Sequence, residues 1–182
     1  MAQTGLLAQP SPFTESKDNM ATTYEKIATT TLGSAASSIT FSSIAATYTD
    51  LRVTFVGAST GGANLRLQLN TDTGTNYSKT NLYGRGATAD SARSTSAGPI
   101  YLTDDGITST PHFYAIDLFS YAGSTYKTFL WEGSEDNNGS GSVVRGVGLW
   151  RNTAAITSVI LYDNGNTFNT GTTATLYGIL KA

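Results

Sequence analysis

The chain predicts an all-β fold, an antiparallel β-sandwich of jelly-roll type with about nine or ten strands and an extended N-terminal arm. Three observations carry this. Short runs alternate strictly, as where Leu51, Val53 and Phe55 interleave with Arg52 and Thr54, and Leu65, Leu67 and Leu69 with Arg66, Gln68 and Asn70. A period of two puts one sheet face on a core and the other in water, which favours antiparallel pairing. The runs are bounded by clusters of Gly, Asn, Asp and Ser, the residues that turns need. No stretch carries the apolar period of an amphipathic helix, and no fixed repeat marks a β-helix.

Residues 1–19 hold Pro10 and Pro12, and their Gln-Pro and Ser-Pro steps disfavour helix. They read as an arm, with Leu6, Leu7 and Phe13 as apolar anchors for a partner or a neighbouring subunit. Residues 20–182 read as one sandwich domain. Within it, 24–32 is a Thr-rich strand, since Thr is branched at Cβ and suits a pleated surface. Residues 38–42 form a short strand around Ile39 and Phe41, and 42–50 have room for one helical turn. The alternating runs 51–56 and 65–70 follow, then a weaker strand over 77–83.

Residues 84–98 (GRGATADSARSTSAG) read as a long loop of small residues, mobile or contact-making. A short strand, 100–102, precedes 113–120 (FYAIDLFS), which is apolar on both faces and therefore central. Residues 127–131 form the next strand, 133–142 a polar loop, and 143–150 (VVRGVGLW) a strand with Gly146 and Gly148 on one face. Two glycines on one face leave room for a large ring or a close backbone. The last pair, 156–162 and 173–180, is apolar on both faces, so these strands are expected to be central or covered by a subunit. Their connecting loop is polar except for Phe168, which either folds back under the loop or inserts into a neighbour.

Composition excludes several functions. Of 182 residues 13% are charged, and the net charge is −2. Ser and Thr make up roughly a quarter of the chain, well above ordinary usage. A neutral, hydroxyl-rich surface without a basic patch does not attract nucleic acid. There is no cysteine, hence neither a disulfide nor a Cys-bound zinc. No apolar run is long enough to span a membrane, and the first residues lack the basic and apolar regions of a signal peptide. Synthesis in a cytoplasm is the expectation.

Candidate chemistry is sparse. His112 is the single histidine, so a Ser-His-Asp site would have to use it. No G-x-S-x-G elbow accompanies it, and a surface or edge position is expected. The acidic pairs Asp104/Asp105 and Glu135/Asp136 could serve a glycosidase only if held across a cleft. Both lie beside glycines and read as solvated turn acids. The loop 70–76 (NTDTGTN) resembles a calcium loop, but its third liganding position is Gly74 and no bidentate Glu follows. An Asx-rich hairpin turn is expected there, and likewise at 163–166. Gly61 and Gly62 are followed by Ala63 and Asn64 rather than by Lys-Ser or Lys-Thr, so no phosphate loop is present. Catalytic residues, cofactor and metal are all read as none. Phe41, Phe55, Phe113, Trp131 and Trp150 are expected in the core. Tyr77, Tyr83, Tyr121 and Tyr162 sit near loops as contact residues, with Tyr121 and Phe168 the candidate partner-binding rings beside the arm.

From Met20 the text (MATTYEKIATTTLGSAASSITFSSIAATYTDLRV, 20–53) resembles a family of small tailed-bacteriophage virion proteins of marine and cyanobacterial phages. LQLNTDTGTNYS (67–78), GLWRNTAAITSV (148–159) and TATLYGILKA (173–182) agree with it, and residues 1–19 look like an added arm. The resemblance implies a non-enzymatic β-sandwich on the outer surface of a virion, made in the host cytoplasm and assembled as a homotrimer. It would be a capsid decoration or cement protein on the major capsid protein, or another virion protein. The alternative is a tail-fibre or receptor-binding module gripping host polysaccharide through the loops 84–98 and 133–142 and Tyr121. The family implies no catalytic residues, no nucleic acid and no membrane.

Overall fold

The structure is a computed structural model that describes residues 23–62, 64–103 and 106–180. The arm with Leu6, Leu7 and Phe13, and the pair Asp104/Asp105, lie outside the described residues. The described residues fold as an all-β sandwich of twelve strands. These are β1 (Tyr24–Thr31), β2 (Ser38–Phe41), β3 (Asp50–Gly57), β4 (Leu65–Leu69), β5 (Tyr77–Arg85), β6 (Thr88–Ala97), β7 (Ile100–Tyr101), β8 (His112–Leu118), β9 (Lys127–Glu135), β10 (Ser142–Trp150), β11 (Val159–Asp163) and β12 (Thr173–Ile179).

The sheet orders explain the architecture. An eight-stranded sheet runs β1-β12-β3-β8-β9-β10-β5-β6, and a four-stranded sheet runs β2-β11-β4-β7. All pairs are antiparallel. The set β1-β12-β3-β8 opposite β2-β11-β4-β7 is the wiring of a jelly roll, a hairpin rolled up so that successive strands alternate between two sheets. Two hairpins, β5–β6 and β9–β10, are inserted into this path. They add four neighbouring strands to one edge of the larger sheet.

The core lies between the sheets. Alternation places Leu51, Val53 and Phe55 of β3 against Leu65, Leu67 and Leu69 of β4, all six fully buried. The closing strands are central in their sheets, β12 between β1 and β3 and β11 between β2 and β4. Ile156, Val159, Leu161 and Leu176 join the core.

Aromatic rings fill the space under the inserted strands, where β10 supplies glycines. Gly146 is paired with Trp131 and Gly148 with Phe129. A Cβ on Gly148 would stand 2.1 Å from Phe129 Cζ, so only glycine admits the ring. The indole N–H of Trp131 donates to the Leu102 carbonyl at 3.0 Å, which satisfies its one polar atom inside the core.

Three local expectations are corrected. Residues 84–98 are not a loop. Most of them belong to β5 and β6, joined by the two-residue turn Gly86-Ala87 with Gly86 at φ 53°. A two-residue hairpin wants glycine at such a positive φ. Strand β6 escapes a search for apolar alternation because its residues are small and polar on both sides. The polar loop shrinks to 136–141, because β9 runs on to Glu135 and β10 starts at Ser142. Residues 42–49 form bends and turns without helix, and Asp50 already begins β3.

Candidate functional site

Most polar residues singled out in the sequence hold the fold together. The Asp72 carboxylate accepts from Gly74 N at 2.8 Å, Asn76 Nδ2 at 2.8 Å and Trp150 Nε1 at 2.7 Å. Burial raises its pKa, but these donors outweigh burial, and the net shift is downward. Loop 70–76 is thus an Asx turn whose acid is committed to protein donors. Asn70 likewise accepts from Thr157 N and Ser158 N and donates to the Ala155 carbonyl, fastening β4 to the approach of β11. Asp163 is buried and accepts from Ser59 Oγ.

His112 is not at the surface: it is 2% exposed on β8. Its Nε2 lies 2.9 Å from Glu135 Oε2 and 3.0 Å from Thr108 N, with Thr108 Oγ1 at 3.3 Å. Glu135 is therefore a buried partner and not a solvated turn acid. Burial lowers the His112 pKa, and the Glu135 carboxylate opposes that only in part. In a nucleophilic triad the acid orients one ring nitrogen while the other faces the hydroxyl. Here acid and hydroxyl share Nε2, and Nδ1 has no hydrogen-bond partner. The geometry serves cohesion at the loop end of the sandwich. Among the described residues no group of three or more His, Cys, Asp or Glu is gathered as a metal site.

The candidate contact rings are also corrected. Tyr121 is fully buried, its hydroxyl donating to the Ala45 carbonyl and accepting from Tyr48 N. Phe168 is fully buried too, folded under its own loop, with its centroid 5.2 Å from that of Phe55. Bridges from residue 168 to Ala36 and Ser59 tie the loop down. Neither ring is offered to a partner. Tyr77 is equally buried, its hydroxyl bonding Leu69 and Asp72 backbone oxygens, while Tyr83 and Tyr162 are half-buried.

The exposed apolar side chains lie elsewhere, on the outer face of the eight-stranded sheet. Phe113 was expected in the core, yet it is 43% exposed because it alternates outward between His112 and Tyr114. Strand register sets Val56, Phe113, Ser134, Val143, Gly84 and Ala89 side by side in one row. The next row holds Ala115, Glu132, Arg145, Leu82 and Ser91, and the third Asp117, Leu130, Val147, Thr80 and Arg93. Leu82 is 65% exposed and Val143 59%. Between β8 and β6 this face encloses a trough of about 860 Å³. Leu82, Phe113 and Val143 line it, with Glu132 and Arg145 directly opposed across β9 and β10. A smaller hollow of about 370 Å³ continues along the face past Val147 and Arg93.

Contiguous exposed apolar surface on a sandwich marks an interaction site more often than an isolated side chain does. The outer face of the smaller sheet contrasts with it. There the Arg66 guanidinium lies 3.8 Å from the Tyr101 ring centroid, and polar Thr40 and Gln68 fill neighbouring places. The signal for the apolar face was present in the sequence. FYAIDLFS, KTFLW and VVRGVGLW carry apolar residues in both phases of the strand, a pattern that also describes strands buried on both sides.

No protein-family model, no curated protein and no solved structure matches this chain.

Proposed function

We propose that the chain is a non-enzymatic virion structural protein that docks on the outside of a bacteriophage capsid as a decoration or cement protein. The observation that supports this most is the outer sheet face. It places Leu82, Phe113, Leu130, Val143 and Val147 in water on a rigid sheet, where they contribute little to folding and much to docking. The partner chemistry is a protein surface, such as that of the major capsid protein, with an apolar ridge and a charged pair to meet Glu132 and Arg145. A glycan site would stack sugar rings on several aromatic faces. Phe113 is the one aromatic side chain on the outward rows of the trough. The resemblance of residues 20–53, 67–78, 148–159 and 173–182 to small virion proteins agrees with this reading.

Quantitative peptide mass spectrometry of purified virions tests it. A decoration protein is present in a fixed ratio to the shell protein. A copy number that follows the tail proteins instead would favour the receptor-binding alternative. Absence from the particle would overturn both.

A further inference from the structure

The longest edge of the larger sheet is β6, ten residues from Thr88 to Ala97, and its geometry selects a partner. Arg85 and Thr88 close a two-residue turn, so they form a hydrogen-bonded pair. Alternation then makes Tyr83–Asp90 and Asn81–Ala92 hydrogen-bonded pairs as well. The residues between them, Ala89, Ser91 and Arg93, point their N–H and C=O groups away from β5. All three are exposed, and among the described residues no strand pairs with them.

Natural edges are blunted by proline, lysine, shortness or a bulge. The other edges follow that rule. Strand β1 carries Glu25 and Lys26 with a register break between Lys26 and Ala28, β2 has four residues and β7 two. Strand β6 has neither proline nor lysine, its two charges, Asp90 and Arg93, are of opposite sign, and its run from Thr88 to Ser94 is regular, with an irregularity only beyond it.

We infer that β6 pairs antiparallel with β6 of a second copy about a two-fold axis at Ser91. In an antiparallel ladder outward-bonding residues pair with one another, and so do inward-bonding residues, which allows a two-fold axis at any residue from Ala89 to Arg93. An axis at Asp90 opposes two aspartates, and an axis at Ala92 carries Ala89 opposite the partner's Thr95, beyond the regular run that ends at Ser94. An axis at Arg93 sets two arginines opposite each other, and an axis at Ala89 runs Ser91 into the partner's turn. The axis at Ser91 pairs Ala89 with the partner's Arg93, and Ser91 with the partner's Ser91. Asp90 then faces the partner's Ala92, so no like charges are opposed. The pairing satisfies every outward backbone group of Ala89, Ser91 and Arg93 in both copies. It joins the two sheets into one and sets the two troughs side by side on one face. A three-fold ring would require β6 to meet a different edge, and the charged, broken β1 is a poor match.

The chain has no cysteine, which makes single-thiol variants clean probes. In the full-length protein, Ser91→Cys places two thiols on the axis, with Cα atoms about 5.5 Å apart and within disulfide reach. Ala89→Cys, four residues out of register with its copy, leaves them about 14 Å apart. The inference expects a dimer by light scattering for the wild type, and rapid oxidation of S91C to a covalent dimer with A89C lagging at least tenfold. It also expects a monomer for Ser91→Pro with an unchanged circular dichroism spectrum. An edge proline at an outward N–H leaves the internal ladder intact. A wild-type monomer or trimer, or equal oxidation of S91C and A89C, would overturn it. Retention of the dimer by a folded S91P would do the same. None of these measurements uses a virion, so their failure is distinct from failure of the capsid reading.

Discussion

Gly146 lies directly beneath the indole of Trp131, its cross-strand partner, and a Cβ at that glycine would stand 2.3 Å from the ring carbons. The contact joins a sequence choice to the packing of the inserted hairpins. Large rings from β9 occupy the space that β10 leaves empty.

The first prediction follows from this contact. Replacing glycine by alanine in a strand ordinarily gains roughly 0.5–1 kcal/mol, because alanine loses less backbone entropy on folding. Overpacking a tight core costs about 1–3 kcal/mol, and at such a separation the indole must move. The second effect wins, and Gly146→Ala is expected to lower the urea midpoint. Gly84→Ala is the control, since its nearest heavy atom, Val143 Cγ2, is 3.5 Å from the added Cβ. That variant is expected to hold or raise the midpoint.

Lys127 gives the second prediction. It is fully buried, and its ammonium donates to the carbonyls of Gly123 (2.6 Å), Thr125 and Thr153 (3.5 Å). It thereby ties the β8–β9 loop to the segment after β10. Lys127→Met keeps the aliphatic stem but removes the ammonium that the three carbonyls share, and hydrogen bonds to a charged group are worth about 1.5–3 kcal/mol. The melting temperature is expected to fall by several degrees, and hydrogen exchange should rise first in residues 119–126.

The third prediction concerns acid. Burial holds His112 below its ordinary pKa of 6.5, with Glu135 opposing. The folded state therefore favours the neutral ring. Its contribution is fully present above pH 6.5 and is lost as pH falls through the folded value. The groups packed around the ring are Glu135, Thr108 and Tyr114. The urea midpoint is expected to fall on acidification below about pH 6.5, the usual histidine value. Because His112 is the single histidine, His112→Gln should flatten that slope. A midpoint that rises on acidification would mean that the charged pair is the favoured form.

Much of this fold was legible in the chain. Strict alternation in β3 and β4 located the core, and the paired glycines of β10 announced a ring beneath them. Strand β6 was missed because Ala, Ser and Thr carry no hydrophobic phase. Its strand character comes from pairing with β5 and from the Gly86 turn. Tyr121 differs from its expected place for another reason, and of the two outcomes open for Phe168 the fold takes burial under its own loop. A ring in a polar loop looks exposed in sequence, but Phe168 is the plug that the loop closes over, and Tyr121 anchors a turn through its hydroxyl. Phe113 erred in the opposite sense. Apolar residues in both phases of a strand describe a central strand and a strand with an exposed apolar face equally well, and only the opposing layer tells them apart.

The most direct test of the account is the binding of a Leu82→Glu, Val143→Glu double variant to virions stripped of the wild-type chain. Both side chains are mostly in solvent, at 65% and 59% exposure, so the melting temperature should stay close to that of the wild type. Placing charge on the central apolar contacts of an interface removes most of its affinity, and occupancy is expected to drop on the order of tenfold or more. A folded variant that occupies virions as fully as the wild type would contradict the assignment of this face as the docking surface.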